Sequence, residues 1–309
     1  MALFVNRLLR KNIHLFVTGS NAKLLSNELV THLTGRYNKV ELYPFSFSEY
    51  ATYKQVDAKS LTTRAQAAAK NCLNEYLLQG GLPELIYERN KKGYVLELLE
   101  AIIRRDITRR FKVRYSETLQ QLATYLLDNF THEYNAKTLA EKFGVSDHTI
   151  DTYCHYLQEA FLFIPLHKFS HKSNIRQRNK KIYVVDTAFV SNRPNTISSQ
   201  NMGWRLENVV FLELKRRAES NYKELFYYRD RSFEVDFVVA NGTNVEELYQ
   251  ICYDMSSEKT REREIKGLLR GARALGCYKL TIITFSQEET IMLDNMVIEV
   301  VSAARWLAT

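Results

Sequence analysis

A chain of 309 residues is long enough for two or three compact domains. Hydrophobic residues make up 45% and charged residues 25%, an ordinary balance for a soluble globular protein, and no apolar run reaches the ~20 residues of a membrane span. The formal charge of +8 favours an anionic partner, with nucleic acid the first candidate.

Gly (11) and Pro (4) are scarce, so the domains are expected to abut without long flexible linkers. The first ten residues lack the basic start, apolar middle and small-residue cleavage site of an export signal, which makes the cytoplasm the expected location. Cys72, Cys154, Cys252 and Cys277 are scattered and sit among apolar residues. They predict simple buried packing, with neither a structural metal site nor a disulfide framework.

In chain order, residues 13–18 read as a short buried strand closed by Gly19-Ser20-Asn21. Leu24, Leu25, Leu29 and Leu33 mark a helix, residues 40–43 a second strand ended by Pro44, and residues 45–53 another helix. Strand, helix and strand in that order predict a parallel α/β sheet. Residues 65–127 are mainly helical. Within them, residues 95–111 predict one helix whose basic end (Arg104, Arg105, Arg109, Arg110) reads as a solvated terminus favoured by the helix dipole.

Residues 137–143 and 147–160 predict two helices separated by the Gly144-Val145-Ser146 turn, and residues 161–169 and 181–185 predict strands around a polar loop. Helix, Gly turn, helix and hairpin together describe a winged helix-turn-helix. Between Ala160 and Val185 there is no acidic residue, while Lys168, Lys172, Arg176, Arg178, Lys180 and Lys181 are basic, a wing suited to backbone phosphates. On the second helix His148, Thr149, Thr152, Tyr153 and His155 are candidates to face a groove, with Asp147 and Asp151 opposing phosphate. The alternative for this unit is docking to a protein partner or to a second copy of the chain.

The last third predicts a compact α/β unit: a helix at 204–219, strands at 224–228, 234–240 and 247–253, a charged helix at 257–275, and strands at 278–285 and 297–301. The alternating signs on the charged helix read as a solvated face.

The string Leu15-Phe-Val-Thr-Gly-Ser-Asn-Ala-Lys-Leu-Leu-Ser26, followed by Leu33-Thr-Gly-Arg-Tyr37 and Leu42-Tyr-Pro-Phe-Ser-Phe-Ser-Glu-Tyr50, resembles prokaryotic AAA-type ATPases that carry a C-terminal domain of unknown function. Tyr76-Leu-Leu-Gln-Gly-Gly-Leu-Pro-Glu84, Arg105-Asp-Ile107 and Glu234-Val-Asp-Phe237 extend the resemblance over almost the whole chain. It implies that Thr18, Ser20 or Asn21 senses a γ-phosphate and that Arg36 stabilises its charge, with ATP and Mg²⁺ as cofactors of the intact family. The sequence itself has no G-x-x-x-x-G-K motif followed by Ser or Thr, so the chain is expected to need no cofactor as written and to lack ATP turnover of its own.

The final unit resembles the PD-(D/E)XK nuclease fold, which needs a helix Glu, a strand Asp, and Glu-x-Lys on the next strand. Glu207 and Asp236 stand in suitable contexts, but Gln250 and Cys252 occupy the Glu and Lys places. Gln cannot supply the anionic ligand and Cys cannot supply the ammonium, so a degraded site with no bound metal is expected, with Mg²⁺-dependent cleavage through Glu207 and Asp236 as the alternative. The expected organisation is thus multi-domain α/β: residues 1–64 a remnant of a P-loop ATPase sheet, 65–130 a helical lid, 131–190 a winged helix, and 200–309 the nuclease-like domain.

Overall fold

The computed structural model describes residues 40–170, 180–192, 201–293 and 295–309, with isolated positions before residue 40. From residue 40 onward the first helices are α1 (Phe47–Tyr53) and α2 (Thr63–Gln79). Ser46 begins α1 with a reciprocal capping box to Glu49, and Thr62 caps α2 by accepting from the Ala65 N–H, so both starts satisfy otherwise orphaned donors. α3 (Lys91–Ala101) runs directly into a π-helical segment (Ile102–Arg109), and α4 (Ser116–Asp128) follows. The single α-helix expected over residues 95–111 is therefore not what forms. The Thr108 hydroxyl donates to the Ile103 carbonyl five residues back, and the wider turn keeps Ile103 and Ile107 buried together.

Next come β1 (Glu133–Tyr134), α5 (Ala136–Phe143), α6 (Asp147–Glu159), β2 (Phe163–His167) and β3 (Lys180–Val184). Gly144 ends α5 in the left-handed conformation and Ser146 caps α6 through the Thr149 N–H, which makes the turn between them tight. β2 and β3 pair antiparallel and β1 joins the other side of β3, giving a three-stranded sheet of order β1-β3-β2. α7 (Ala188–Ser191) leads to the long α8 (Met202–Ser220).

The remaining elements are β4 (Glu224–Arg229), β5 (Glu234–Asn241), β6 (Asn244–Cys252), α9 (Glu258–Leu275), β7 (Leu280–Thr284), β8 (Glu289–Leu293), β9 (Met296–Ser302) and α10 (Ala303–Ala308). Their strands form a six-stranded mixed sheet of order β4-β5-β6-β7-β9-β8, parallel only at β6–β7 and β7–β9. Alternation along β5 sends Phe237 and Val239 into a core shared with α1, α2, α8 and α10, and Val238 and Ala240 into a core under α9. A further core joins α3, the π-helical segment, α4, α5, α6 and the hairpin.

Two expected strands are not seen among the described residues. Residues 13–16, 18 and 40–43 pair with no strand among the described residues, and Val40 and Leu42 are 77% and 91% exposed. A strand requires a neighbour to take its N–H and C=O groups, and among the described residues the Ile13 N–H reaches only the nearby Leu8 carbonyl at 3.4 Å. β8, α7 and α10 form without having been anticipated.

Two contacts position the candidate site. A bridge between Lys168 and Tyr227, with the Phe169 N–H donating to the Tyr227 carbonyl at 2.7 Å, ties the end of the hairpin to β4. On α9, a Cβ at Gly271 would lie 2.4 Å from Val235 Cγ2 and one at Gly267 would lie 3.4 Å from the Glu234 carbonyl. These two glycines let the helix press onto β5.

Candidate functional site

Glu207, Asp236 and Gln250, widely separated in sequence, line one cleft of about 530 Å³. Glu207 comes from α8, Asp236 from the middle of β5 and Gln250 from β6, so the sheet and its covering helix hold the three together. Cys252 does not join them. It is buried in the core beneath α9, its thiol donates to the Asp254 carbonyl at 3.3 Å, and burial pushes it up to about 11, leaving a neutral apolar neighbour.

The ammonium missing from β6 arrives from elsewhere. Lys181 on β3 is only 5% exposed, and its Nζ lies 2.5 Å from Glu234, 3.4 Å from Glu207 and 3.9 Å from Asp236. Its expected role as a wing cation facing DNA is thereby corrected: the side chain is spent inside the protein and cannot reach a phosphate. Burial alone would favour the neutral amine, but Glu207, Asp236 and Glu234 together outweigh it and hold Lys181 protonated above its ordinary range. Burial first, and then the charge of Glu207, lift the Asp236 carboxyl well above the usual carboxylate range, against the opposing pull of Lys181 and the Ile251 N–H. Arg229 also pairs with Glu234 at 3.5 Å, so Lys181 is the cation that Glu207 and Asp236 share within the fold.

Hydrogen bonds fix the rest. The Tyr183 hydroxyl donates to Glu207 at 2.8 Å, and the Ile251 N–H donates to Asp236 at 2.8 Å. Across the cleft, Gln250 Nε2 donates to Glu264 at 2.8 Å, and Arg263 pairs with the same carboxylate at 2.5 Å. Glu264 is 6% exposed, so the expectation that the charged helix is solvated throughout fails at this position. The Gln250 Oε1 atom is buried and finds no partner. Neither Lys181 nor Glu264 was singled out for this site from sequence. Their burial is decided by hairpin docking and by the close approach at Gly267 and Gly271.

Magnesium, the ion implied by a nuclease-like site, demands near-ideal octahedral oxygen donors. Gln250 Oε1 is open to such a role. Yet Glu207 Oε1 is held by Tyr183 and Lys181, Asp236 Oδ2 by Ile251, and no three His, Cys, Asp or Glu side chains converge in a metal-holding group among the described residues. With Lys181 seated, the residues present do not fit the ion.

The other expected positions are dispersed. His148 is exposed on α6, and Thr149 and Thr152 are half-buried, with the Thr149 hydroxyl engaged by Ser146 at 2.8 Å. Tyr153 is buried and its hydroxyl accepts the Tyr115 N–H at 3.1 Å, so it faces the core and not a groove. His155 is exposed beside Glu159 at 3.6 Å. Lys168 and Lys180 are half-buried, while Lys172, Arg176 and Arg178 lie outside the described residues. Thr18 is exposed and in neither helix nor strand, and Ser20, Asn21 and Arg36 also lie outside the described residues.

Family comparisons divide the chain three ways: an AAA domain matches residues 1–51, the domain of unknown function DUF8612 matches 70–197, and the domain of unknown function DUF4143 matches 202–306. An uncharacterized protein of Methanocaldococcus jannaschii, MJ1544, is 35% identical over 321 aligned residues, covering 99% of this chain and 71% of that one. This chain belongs to its family, an AAA-like ATPase family with a C-terminal domain of unknown function. An uncharacterized protein of Haemophilus influenzae is 30% identical over 307 residues, 96% of this chain and 71% of its own length. No solved structure matches the chain. The carboxylate–lysine cluster therefore joins DUF8612, which contributes Lys181, to DUF4143, which contributes the acids. No helix among the described residues is long and apolar enough to cross a membrane.

Proposed function

We propose that this member of the AAA-like family is a DNA-associated protein, with a winged helix formed by α5, α6 and the β2–β3 hairpin, and a nuclease-like domain that serves as a scaffold without cleaving. The observation that carries the reading is the order of that unit: two helices joined at the left-handed Gly144, then a hairpin, with His148, Asp151 and His155 of α6 left open to solvent. The acids at Asp147 and Asp151 favour backbone holding over base reading. The seated Lys181 supports the scaffold role, because it supplies inside the fold the positive charge that a metal would otherwise bring. The absence of a phosphate-loop motif supports a chain without ATP turnover of its own.

The test is binding of the full chain to a labelled duplex across a salt series. Affinity should drop steeply between 50 and 200 mM salt, by roughly tenfold or more for a few phosphate contacts. No binding at the lowest salt would overturn the reading and leave protein docking in its place.

The unpartnered Gln250 Oε1 favours one second reading, metal-dependent cleavage of DNA through Glu207 and Asp236. Incubation with Mg²⁺ or Mn²⁺ decides it: cutting that disappears in Asp236→Ala would establish a nuclease, and intact DNA would exclude it under those conditions.

A further inference from the structure

We propose that the exposed cationic strip from Arg105 to Arg114, flanking α6, is the surface that holds the phosphate backbone of duplex DNA; the proposal rests on the DNA-associated reading above. The sequence concentrates charge here: Arg104, Arg105, Arg109, Arg110, Lys112 and Arg114 stand against Asp106 alone, and no acid occurs from residue 107 to 116. Scattered along residues 104–114, these cations suit a line of phosphates more than a single small anion.

The π-helical turn organises them. Arg105 and Arg109, both exposed and four residues apart on this segment, are like charges on neighbouring turns, an unfavourable pairing that an external anion relieves. Arg104 is already tied to Glu100 at 3.0 Å. Arg105, Arg109, Arg110, Lys112 and Arg114 form no ion pair among the described residues, and all but the half-buried Arg110 are exposed.

Packing then places the strip beside α6. The Phe111 ring stacks on Tyr156 at 4.0 Å, and the Tyr115 N–H donates to Tyr153 at 3.1 Å. The guanidinium groups of Arg110 and Arg114 lie over the Phe111 and Tyr115 rings at 5.4 and 5.3 Å. Aromatic faces thus steady two of the cations next to the helix that presents His148 and His155. The neighbouring cleft of about 750 Å³ is not the binding surface itself, because Glu97, Glu100 and Glu117 share its walls with Arg104, Arg105 and Arg109.

The test compares the full-length wild type with the triple variant Arg105→Gln, Arg109→Gln, Arg114→Gln, by anisotropy of a labelled duplex from 50 to 200 mM NaCl. Expected are a tenfold or larger loss of affinity at 50 mM and a log K against log salt slope flatter by roughly 2–3, about 0.9 for each lost contact. The matching Arg→Lys triple should keep the slope. Unchanged affinity and slope in the Gln triple would overturn the strip while the DNA reading stands, and a wild type that binds no DNA would overturn both. Tighter binding to an RNA duplex than to DNA would overturn the assignment of the ligand. A shared loss in the Gln and Lys triples would trace to folding and also count against the strip.

Discussion

Replacing Lys181 by Met removes the one ammonium that Glu207, Glu234 and Asp236 share while keeping the length of the side chain. Truncating one partner of a buried ion pair leaves uncompensated charge and costs about 3–5 kcal/mol. At roughly 2–4 °C per kcal/mol for a unit of this size, melting at pH 7 should fall by about 6–20 °C. The deficit should depend on pH in a definite direction. The folded Asp236 carboxyl titrates well above its unfolded range, so between the two values the folded state holds a proton that the unfolded chain has lost. Stability therefore falls as pH rises through that window. Without Lys181 the repulsion among the acids grows, and the window widens upward. The variant's deficit should therefore grow as pH rises through that window. In the wild type, the folded Lys181 titrates above its ordinary range, so its contribution is complete below about pH 10 and fades only in strong alkali. Urea melts at three pH values measure all of this, with Lys181→Met/Glu234→Gln closing a double-mutant cycle that should show partial rescue. A Lys181→Met protein within about 1 kcal/mol of wild type, or a deficit flat in pH, would refute the account of the cluster.

Two other expectations concern the junction of α2 and α7. Asp186 accepts the Gly81 and Ala188 N–H groups, each at 2.7 Å, and burial, against those bonds, pushes it up to about 6. Wild-type stability should therefore carry a component that decreases from about pH 4 to pH 6, and Asp186→Asn should lack it. Asn offers one acceptor oxygen to two donors, which costs about 1–3 kcal/mol, so the variant should trail the wild type at pH 4 and approach it at pH 7 in urea melts. A gap constant across pH would contradict this. At Gly80, φ is +76° and a Cβ would fall 1.7 Å from Asp186 Oδ1, whereas Gly144 has φ +67° with nothing within 4 Å. Gly144→Ala should cost only the left-handed penalty of about 1–2 kcal/mol, and Gly80→Ala a further ~1–3 kcal/mol, because its φ of +76° with ψ of −169° is a region essentially reserved to glycine and because the carboxylate must move. Equal losses in thermal melts would contradict this.

Local pattern was enough to find α5, α6, α8, α9 and the strands β4 to β7, because apolar spacing and cap residues act over one or two turns. Grouping Glu207, Asp236, Gln250 and Cys252 into one candidate site came from the resemblance to the PD-(D/E)XK fold, and the first three of these share a cleft while Cys252 does not. At residues 13–16, 18 and 40–43 strand-like composition meets no strand neighbour among the described residues. Local pattern failed at residues 102–109, where helix-forming residues do not reveal whether bonds close four or five residues back.

What the sequence determined, then, is the set of acids and the elements that carry them. Only the tertiary structure decided that Lys181 is their shared counter-charge. Nothing within its own strand distinguishes it from Lys180 as the cation that turns inward. That choice is made by the bridge from Lys168 to Tyr227, which docks the hairpin on β4 and brings β3 against three acids that need a counter-charge. Glu264 is buried for a similar reason: the spacing of Gly267 and Gly271 matters only once β5 lies against them. Charge must be balanced where the chain folds together, and that place is not written in any one segment.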